Sequence, residues 1–218
     1  MINIRLIIGG ARSGKSSLAE HYAKSSNLPV IYIATAQALD IEMQQRITQH
    51  QADRPEHWQL LESPLLLAQT IESAIANTRL ANANVKSAIT DQEQGCCILV
   101  DCLTLWLTNS LCQQGLNNDK FVDGNGDCWQ QEKQQLLALL AHIQQHENNE
   151  QAKLELILVS NEVGHGIVPM GALSREFVDQ AGWLHQAIAH IADHVEFVMA
   201  GLPLSLKSPD KVNNKASL

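Results

Sequence analysis

Short apolar runs rich in β-branched residues alternate along the chain with segments whose apolar residues repeat at helical spacing. The predicted strands are 4–8, 30–34, 58–62, 97–101, 154–160 and 195–200. One helix is predicted over 65–76, directly after Pro64. Three more are predicted over 103–111, 129–146 and 172–191. Alternating strands and helices are typical of a mostly parallel sheet with helices on both faces. The pattern therefore predicts one α/β domain over 1–206.

Two polar segments interrupt this alternation, and a third closes the chain. The segments 77–94 and 113–127 are predicted to form long surface loops, and 207–218 is predicted to be a disordered tail. Residues 123–127 have the Asp, Asn and Gly composition of a calcium loop, but the closing Glu that an EF-hand loop requires is missing. A surface loop without metal is therefore the favoured interpretation.

The first predicted strand leads directly into Gly9-x4-Gly14-Lys15-Ser16, and helix-compatible residues follow. This strand, loop and helix form the setting of a phosphate-binding P-loop. Loop N–H groups and the helix N-terminus attract phosphate oxygens, the lysine reaches the β- and γ-phosphates, and the serine hydroxyl can ligate Mg²⁺. A glycine turn without a ligand is the alternative, and the flanking elements disfavour it. The fold prediction becomes a P-loop NTPase-type domain whose nucleotide loop comprises Gly9, Gly10, Ala11, Arg12, Ser13, Gly14, Lys15 and Ser16.

Composition narrows the possible partners and the compartment. The chain has 218 residues, 45% of them hydrophobic, which is enough for one sizeable core. Acidic residues outnumber basic ones by 23 to 15 and no basic run occurs, so nucleic acid is not an expected partner. No targeting segment and no apolar stretch of membrane-spanning length is visible, which predicts a cytoplasmic protein. The five cysteines lack C-x-x-C spacing and are interpreted as structural or incidental thiols.

Asp101 ends the apolar run Ile98-Leu99-Val100. In a P-loop fold, a carboxylate at the end of a strand can hold Mg²⁺ opposite the P-loop serine. The alternative is that Asp101 caps the following helix. With the P-loop present, Mg²⁺ coordination by Ser16 and Asp101 is the favoured interpretation.

Several sequence blocks follow one another over nearly the whole chain. They are Gly-Gly-Ala-Arg-Ser-Gly-Lys-Ser at 9–16, Tyr-Ile-Ala-Thr-Ala at 32–36, Asp-x-Glu-Met-x-x-Arg-Ile-x-x-His at 40–50, Ser-Asn-Glu-Val-Gly-x-Gly-Ile-Val-Pro at 160–169 and Gly-Leu-Pro-Leu-x-Leu-Lys at 201–207. In this order the blocks resemble the bifunctional adenosylcobinamide kinase/adenosylcobinamide-phosphate guanylyltransferase family of cobalamin biosynthesis. Such a series is far more specific than a P-loop alone.

The resemblance implies two reactions and a homotrimer. A nucleoside triphosphate, ATP or GTP, phosphorylates adenosylcobinamide, and GMP from GTP is then transferred to adenosylcobinamide phosphate. In the family a histidine carries the GMP covalently, and position assigns that role to His50. A neutral imidazole nitrogen can attack the α-phosphorus, and the resulting phosphoramidate is labile enough to pass GMP onward. Lys15 is the other predicted catalytic residue.

The resemblance also extends the nucleotide site beyond the P-loop. We expect Arg54 to neutralise charge on the transferred group, although a surface arginine paired with Asp53 or Glu56 is the alternative. Carboxylates suit the guanine edge because it presents two donors, and which carboxylate reads the base stays open. The residues that the resemblance adds are Ala34, Thr35, Ala36, Gln51, Ala52, Asp53, Arg54, Glu62 and Asp101.

The segment 161–169 follows a predicted strand, so its polar residues are expected at the carboxyl edge of the sheet, where α/β folds bind ligands. It could line the corrinoid site, or it could be a glycine-rich connection without ligand contact. His165 receives no catalytic role, because family members often carry another residue there.

Two other functions compete with this interpretation. A small-molecule P-loop kinase without guanylyl transfer would need no histidine nucleophile. A GTP-dependent switch protein would normally read guanine through an Asn-Lys-x-Asp loop, whereas the comparable strand end here reads Asn161-Glu162-Val163-Gly164.

Overall fold

The computed structural model describes residues 1–38, 41, 44–45, 47–48, 54–85, 95–117, 128–145 and 153–209. Their strands are β1 (Ile2–Gly9), β2 (Val30–Ala34), β3 (Gln59–Glu62), β4 (Gly95–Asp101), β5 (Lys153–Asn161), β6 (His194–Met199) and β7 (Leu202–Lys207). The helices are α1 (Lys15–Ser25), α2 (Leu67–Val85), α3 (Leu103–Asn117), α4 (Cys128–Gln145) and α5 (Ala172–Ile191).

The strands form one sheet in the order β3-β2-β4-β5-β1-β6-β7. All neighbouring strands run parallel except β6 and β7, which pair antiparallel. The P-loop strand β1 lies between β5 and β6, and β5 separates it from β4, which carries Asp101. The predicted mostly parallel α/β architecture is confirmed.

Hydrophobic cores cover both faces of the sheet. On one face, Ala19 and Ala23 of α1 pack with Ile7 of β1 and Leu99 of β4. On the other face, buried side chains of α2 to α5 pack against the sheet, and Trp106 is fully buried among them. Strands covered on both faces need apolar residues at consecutive positions, which explains the uninterrupted apolar runs in the sequence. The predicted placement of helices on both faces is confirmed.

Both predicted surface loops are wrong over their first residues. Helix α2 continues to Val85 and therefore includes 77–85, and α3 continues to Asn117 and includes 113–117. Once a helix is nucleated, each added residue gains a backbone hydrogen bond without needing a buried face. Residues 77–83 contain Ala, Leu and Arg, which have high helix propensity. The helix therefore continues through this segment although its apolar residues no longer repeat at helical spacing. The rest of both predictions, 86–94 and 118–127, lies outside the described residues.

The predicted tail also starts too early. Lys207 ends β7, pairs with Val195 of β6, and donates hydrogen bonds from Nζ to the carbonyl oxygens of Ala189 and His190 at 2.9 and 3.0 Å. The ammonium thus satisfies carbonyl groups at the end of α5, where a cation also suits the helix dipole. Strand β7 itself was not predicted, because Pro203 argues against a strand except at the edge of a sheet, where β7 lies. Residues 210–218 of the predicted tail lie outside the described residues.

None of the helices in the described parts of the chain is long and apolar enough to cross a membrane.

Candidate nucleotide-binding site

The P-loop connects β1 to α1 through a glycine in the left-handed region. Gly14 has φ 96° and caps α1 at its N-terminus. A side chain there would be strained, and its Cβ would lie 3.1 Å from the Cα of Gly201. The sequence therefore requires glycine at this position for backbone conformation and for close packing.

The turn between β6 and β7 packs against the P-loop and forms a hydrogen bond with it. The Gly201 N–H donates a hydrogen bond to the Ser13 carbonyl oxygen at 2.8 Å. A Cβ on Gly9 would lie 2.6 Å from the carbonyl oxygen of Val198, so the loop also packs closely on the end of β6. These contacts give Gly201 a structural role at the P-loop that sequence reasoning missed.

Lys15 lies at the start of α1 and is 8% exposed. Its Nζ donates a hydrogen bond to the Gly10 carbonyl oxygen at 3.2 Å, which places the ammonium within the curve of the loop. A cavity of about 1130 Å³ opens here, and residues 11–17 form part of its wall. The positive end of the helix and the lysine therefore meet at one wall of the cavity, an arrangement that suits a phosphate group.

Strand register places two predicted carboxylates on one row. Ala34 of β2 pairs with Glu62 of β3 on one side and with Asp101 of β4 on the other. Paired residues of neighbouring strands point to the same face. All three residues line the cavity, so the parallel sheet brings Glu62 and Asp101 together at its carboxyl edge.

Tyr32 links Asp101 to Arg54. The Tyr32 hydroxyl donates a hydrogen bond to Asp101 Oδ2 at 3.2 Å, and the Arg54 guanidinium lies 3.8 Å from the centre of the tyrosine ring. Burial, followed by the negative charge of Asp101, raises the pKa of Tyr32, so the hydroxyl keeps its proton and acts as a donor. The Arg54 stacking is a cation–π contact.

Thr35 directly follows β2 and stabilises the carboxyl edge of the sheet next to the site. Its side chain is fully buried. Its hydroxyl donates to the Cys102 carbonyl oxygen at 2.7 Å and accepts from the Cys102 N–H at 2.8 Å. The Asn161 side-chain amide similarly donates to Thr104 Oγ1 at 2.8 Å. These bonds tie the carboxyl ends of β2, β4 and β5 together and hold Asp101 in place.

Most of the predicted nucleotide-binding residues that the structure describes line the cavity. They are Ala11, Arg12, Ser13, Gly14, Lys15, Ser16, Ala34, Ala36, Arg54, Glu62 and Asp101. Three others, Gly9, Gly10 and Thr35, are not among its wall residues. The predicted residues His50, Gln51, Ala52 and Asp53 lie outside the described residues.

A family model described as cobinamide kinase / cobinamide phosphate guanyltransferase matches residues 5–206. The chain belongs to this family. It is 48% identical to the bifunctional adenosylcobalamin biosynthesis protein CobP of Pseudomonas aeruginosa, over 93% of this chain and 96% of the relative. It is 35% identical to the bifunctional adenosylcobalamin biosynthesis protein CobU of Escherichia coli, over 93% of this chain and 98% of the relative.

Solved structures show the fold. A prototypical ATPase from the type III secretion system of pathogenic bacteria superposes with a TM-score of 0.52 at 13% identity, covering 93% of this chain and 56% of the ATPase. A similarity at 13% identity supports the P-loop fold and does not indicate which substrate this chain uses.

The cavity of this cobinamide kinase family member includes residues that sequence reasoning did not assign to the nucleotide. Tyr32 lies in a predicted strand and in the Tyr-Ile-Ala-Thr-Ala block at 32–36, and neither pattern indicates that its hydroxyl contacts a carboxylate of the site. Leu60 and Leu105 add apolar wall, and Asn161 and Glu162 add polar wall from the end of β5. The placement of 161–163 at the carboxyl edge agrees with the expected position of that segment, and its ligand stays a prediction.

Proposed function

We propose that this protein phosphorylates adenosylcobinamide with a nucleoside triphosphate and then transfers GMP from GTP to adenosylcobinamide phosphate, releasing pyrophosphate. The observation that carries the proposal is the meeting of the P-loop, Arg54, Glu62 and Asp101 at one cavity in a chain of this family. Ligand pockets commonly measure roughly 300–1,000 Å³. At about 1130 Å³, this cavity has room for a nucleotide and part of a second substrate.

In the phosphoryl transfer, the P-loop holds the triphosphate. Loop N–H groups and the N-terminus of α1 bind phosphate oxygens, and Lys15 stabilises the charge that develops on the β- and γ-phosphates. Arg54, held by its stacking on Tyr32, is suited to the charge of the transferred group. The protein contributes position and charge, which is what this chemistry requires.

Mg²⁺ is the implied cofactor, and the donor set suits it. Ser16 and Asp101 line the same cavity and both offer oxygen ligands. Within the described residues, no group of three His, Cys, Asp or Glu side chains could hold a metal by itself. This pattern fits an ion held by one or two protein oxygens together with phosphates. When bound, Mg²⁺ would neutralise phosphate charge, and Ser16 and Asp101 would hold it.

The guanylyl transfer rests on His50, whose role follows from the family resemblance. Its imidazole would displace pyrophosphate from the α-phosphorus of GTP, forming a nitrogen–phosphorus bond, and the acceptor phosphate would then displace the histidine. Gln51, Ala52, Asp53 and Arg54 follow His50 directly in the sequence. Arg54 lines the cavity, which supports placing the histidine near the same nucleotide.

Covalent labelling tests the proposal. Wild-type protein incubated with Mg²⁺ and GTP labelled at the α-phosphate should acquire label that is labile in acid and stable in alkali, as expected for a phosphoramidate. His50→Asn should acquire none, and it should accumulate adenosylcobinamide phosphate without forming adenosylcobinamide-GDP. The first reaction should survive, because its nucleophile is the substrate hydroxyl.

His57→Asn is the matched control, because this histidine is exposed and lies seven positions further along the sequence. The control should label and turn over like the wild type. Full guanylyl transfer by His50→Asn would eliminate the histidine mechanism, and equal loss of both reactions would mean that His50 shapes a shared nucleotide site. A wild-type protein that phosphorylates other small molecules but not adenosylcobinamide would favour the simpler kinase.

We further propose a homotrimer. Large apolar side chains of the β6–β7 hairpin are exposed: Met199 at 65%, Leu202 at 73% and Leu204 at 61%. An exposed apolar patch of this kind favours a protein interface. Light scattering coupled to size exclusion should give three times the mass of one chain. A cytoplasmic location also stays a prediction.

A further inference from the structure

Ser160, His185 and Glu162 form a polar cluster beside the P-loop that the functions above leave unused; we call it the Glu162 cluster. Ser160 lies in β5, Glu162 follows that strand, and His185 lies on α5. His185 Nε2 is 2.7 Å from Ser160 Oγ, and His185 Nδ1 is 4.0 Å from Glu162 Oε2. Ser160 is fully buried and His185 is 7% exposed. The helix therefore presents an imidazole to two polar residues at the carboxyl end of β5.

His185 Nε2 and the Ser160 hydroxyl share a hydrogen bond whose donor depends on the tautomer of the ring. At 4.0 Å, His185 Nδ1 lies beside Glu162 Oε2 without a direct hydrogen bond. Burial lowers the pKa of His185 below its usual 6.5, although Glu162 acts in the opposite direction, so the ring is neutral near neutral pH.

Glu162 differs from its two partners because it reaches the cavity. Its N–H donates a hydrogen bond to the Gly9 carbonyl oxygen at 3.0 Å, directly beside the start of the P-loop. Its Oε1 accepts a hydrogen bond from the Gly164 N–H at 2.6 Å, and its side chain is 21% exposed. Glu162 lines the same cavity as Lys15 and Asp101. The Gly164 N–H thus holds one oxygen of the carboxylate, and the residue faces the cavity where a substrate can reach it.

We propose that Glu162 is the general base of the phosphoryl transfer and that His185 and Ser160 position its carboxylate. The inference rests on the proposed function. The acceptor is an alcohol, whose O–H proton moves to Glu162 as its oxygen bonds to the γ-phosphorus. The bond from the γ-phosphorus to the bridging oxygen breaks, and its electron pair leaves with the nucleoside diphosphate. Glu162 then releases the proton to water.

The two reactions differ in their need for this base. The first acceptor is a neutral hydroxyl and must lose a proton. The second acceptor is a phosphate that is already ionised at neutral pH, so it can attack without losing one. A general base contributes about 10²–10⁴-fold to a proton-transfer step. Removing Glu162 should therefore impair the first reaction selectively.

The decisive experiment measures both reactions separately in Glu162→Gln. With adenosylcobinamide as acceptor, kcat should fall about 100-fold while the nucleotide Kd stays unchanged. With adenosylcobinamide phosphate and GTP supplied directly, guanylyl transfer should stay within about 2-fold of the wild type, because that acceptor needs no base. Glu72→Gln, which makes the same change at an exposed position of α2, is the control. Thermal unfolding verifies that both variants are folded.

Unchanged phosphorylation in Glu162→Gln would overturn the inference, and equal loss of both reactions would also overturn it, since the residue would then shape the shared nucleotide site. Failure of the proposed function looks different: the wild type itself would be inactive on adenosylcobinamide.

His185 is tested as a positioning residue by comparing the two reactions. His185→Ala removes the imidazole that lies 4.0 Å from Glu162 Oε2, so kcat for adenosylcobinamide phosphorylation should fall while the KM for the nucleotide and the rate of guanylyl transfer stay near those of the wild type. His185→Asn keeps a polar side chain between Ser160 and Glu162 and should restore much of the phosphorylation rate. Equal loss of both reactions in His185→Ala, or a loss of thermal stability with phosphorylation unchanged, would overturn the positioning role.

Discussion

The Tyr32 hydroxyl donates a hydrogen bond to Asp101 Oδ2 at 3.2 Å. The two residues lie on neighbouring strands at diagonal positions, because Tyr32 pairs with Leu99 and Ala34 pairs with Asp101. Residues two apart on a strand share a face, so the long tyrosine side chain reaches the carboxylate. One apolar-looking strand residue thereby orients the carboxylate expected to hold the metal.

Tyr32→Phe should weaken the binding of Mg²⁺ with nucleotide by about 10-fold, because losing a partner that orients a metal ligand commonly costs that much. Tyr32→Leu should weaken nucleotide binding further, since it also removes the ring that Arg54 stacks on. Calorimetric titration of Mg²⁺–nucleotide measures both effects. Wild-type affinity in Tyr32→Phe would show that Asp101 needs no support from the hydroxyl.

Lys15→Met should lower the rate of both reactions by about 100-fold or more, a loss typical of removing one group that stabilises transition-state charge. Methionine keeps most of the apolar stem of this buried side chain, so the melting temperature should change little. Lys24→Met, on the same helix and half exposed, should retain activity. Steady-state kinetics of each reaction provide the test, and an active, folded Lys15→Met would refute the assignment.

His185 should make the protein less stable as the pH falls. Its folded pKa lies below 6.5, so the unfolded chain binds more protons in mildly acidic solution. The stabilisation by the neutral buried ring is complete above pH 6.5 and is lost as the pH falls through the folded pKa. His185→Asn does not titrate, and its free energy of unfolding should fall less between about pH 7 and about pH 5. Urea unfolding at several pH values measures this difference. Equal slopes for the two proteins would contradict it, and the exposed His57→Asn should behave like the wild type.

Glu132 of α4 should be important for stability. Its buried carboxylate accepts a hydrogen bond from the Leu66 N–H at 3.1 Å and another from Trp106 Nε1 at 3.0 Å. Glu132→Ala leaves both donors without their acceptor and should lower the free energy of unfolding by about 3 kcal/mol. Glu132→Gln keeps one acceptor oxygen and should cost less. Urea unfolding ranks the two variants, and equal costs would mean that the charge matters more than the acceptors.

Several residues that line the candidate site could be located from the sequence because they belong to short local patterns. Gly14 is required by its own φ, Lys15 and Ser16 follow at fixed spacing, and the apolar run before Asp101 marks a buried strand. Each of these patterns lies within a few positions of the residue that it identifies. The helix α5 and the strand β2 were predicted with their observed bounds, since periodicity and composition decide such elements locally.

Other features depended on contacts between distant parts of the chain. The helical residues 77–85 carry no core periodicity, and β7 exists because the edge of β6 offers a partner to a segment that contains Pro203. Neither the extension of α2 nor the strand β7 can be recognised from the residues of its own segment alone.

The sequence by itself determined the P-loop, the parallel α/β class and the family, because these depend on residue types at short or ordered spacings. Only the tertiary structure decided that Tyr32 contacts Asp101, 69 positions away, and that His185 contacts Ser160, 25 positions away. Strand register sets the first contact and the packing of α5 on the sheet sets the second. Both contacts arise because the whole domain buries its apolar surface. That driving force does not depend on the residue types of the two partners, so the sequence around each partner does not indicate the contact.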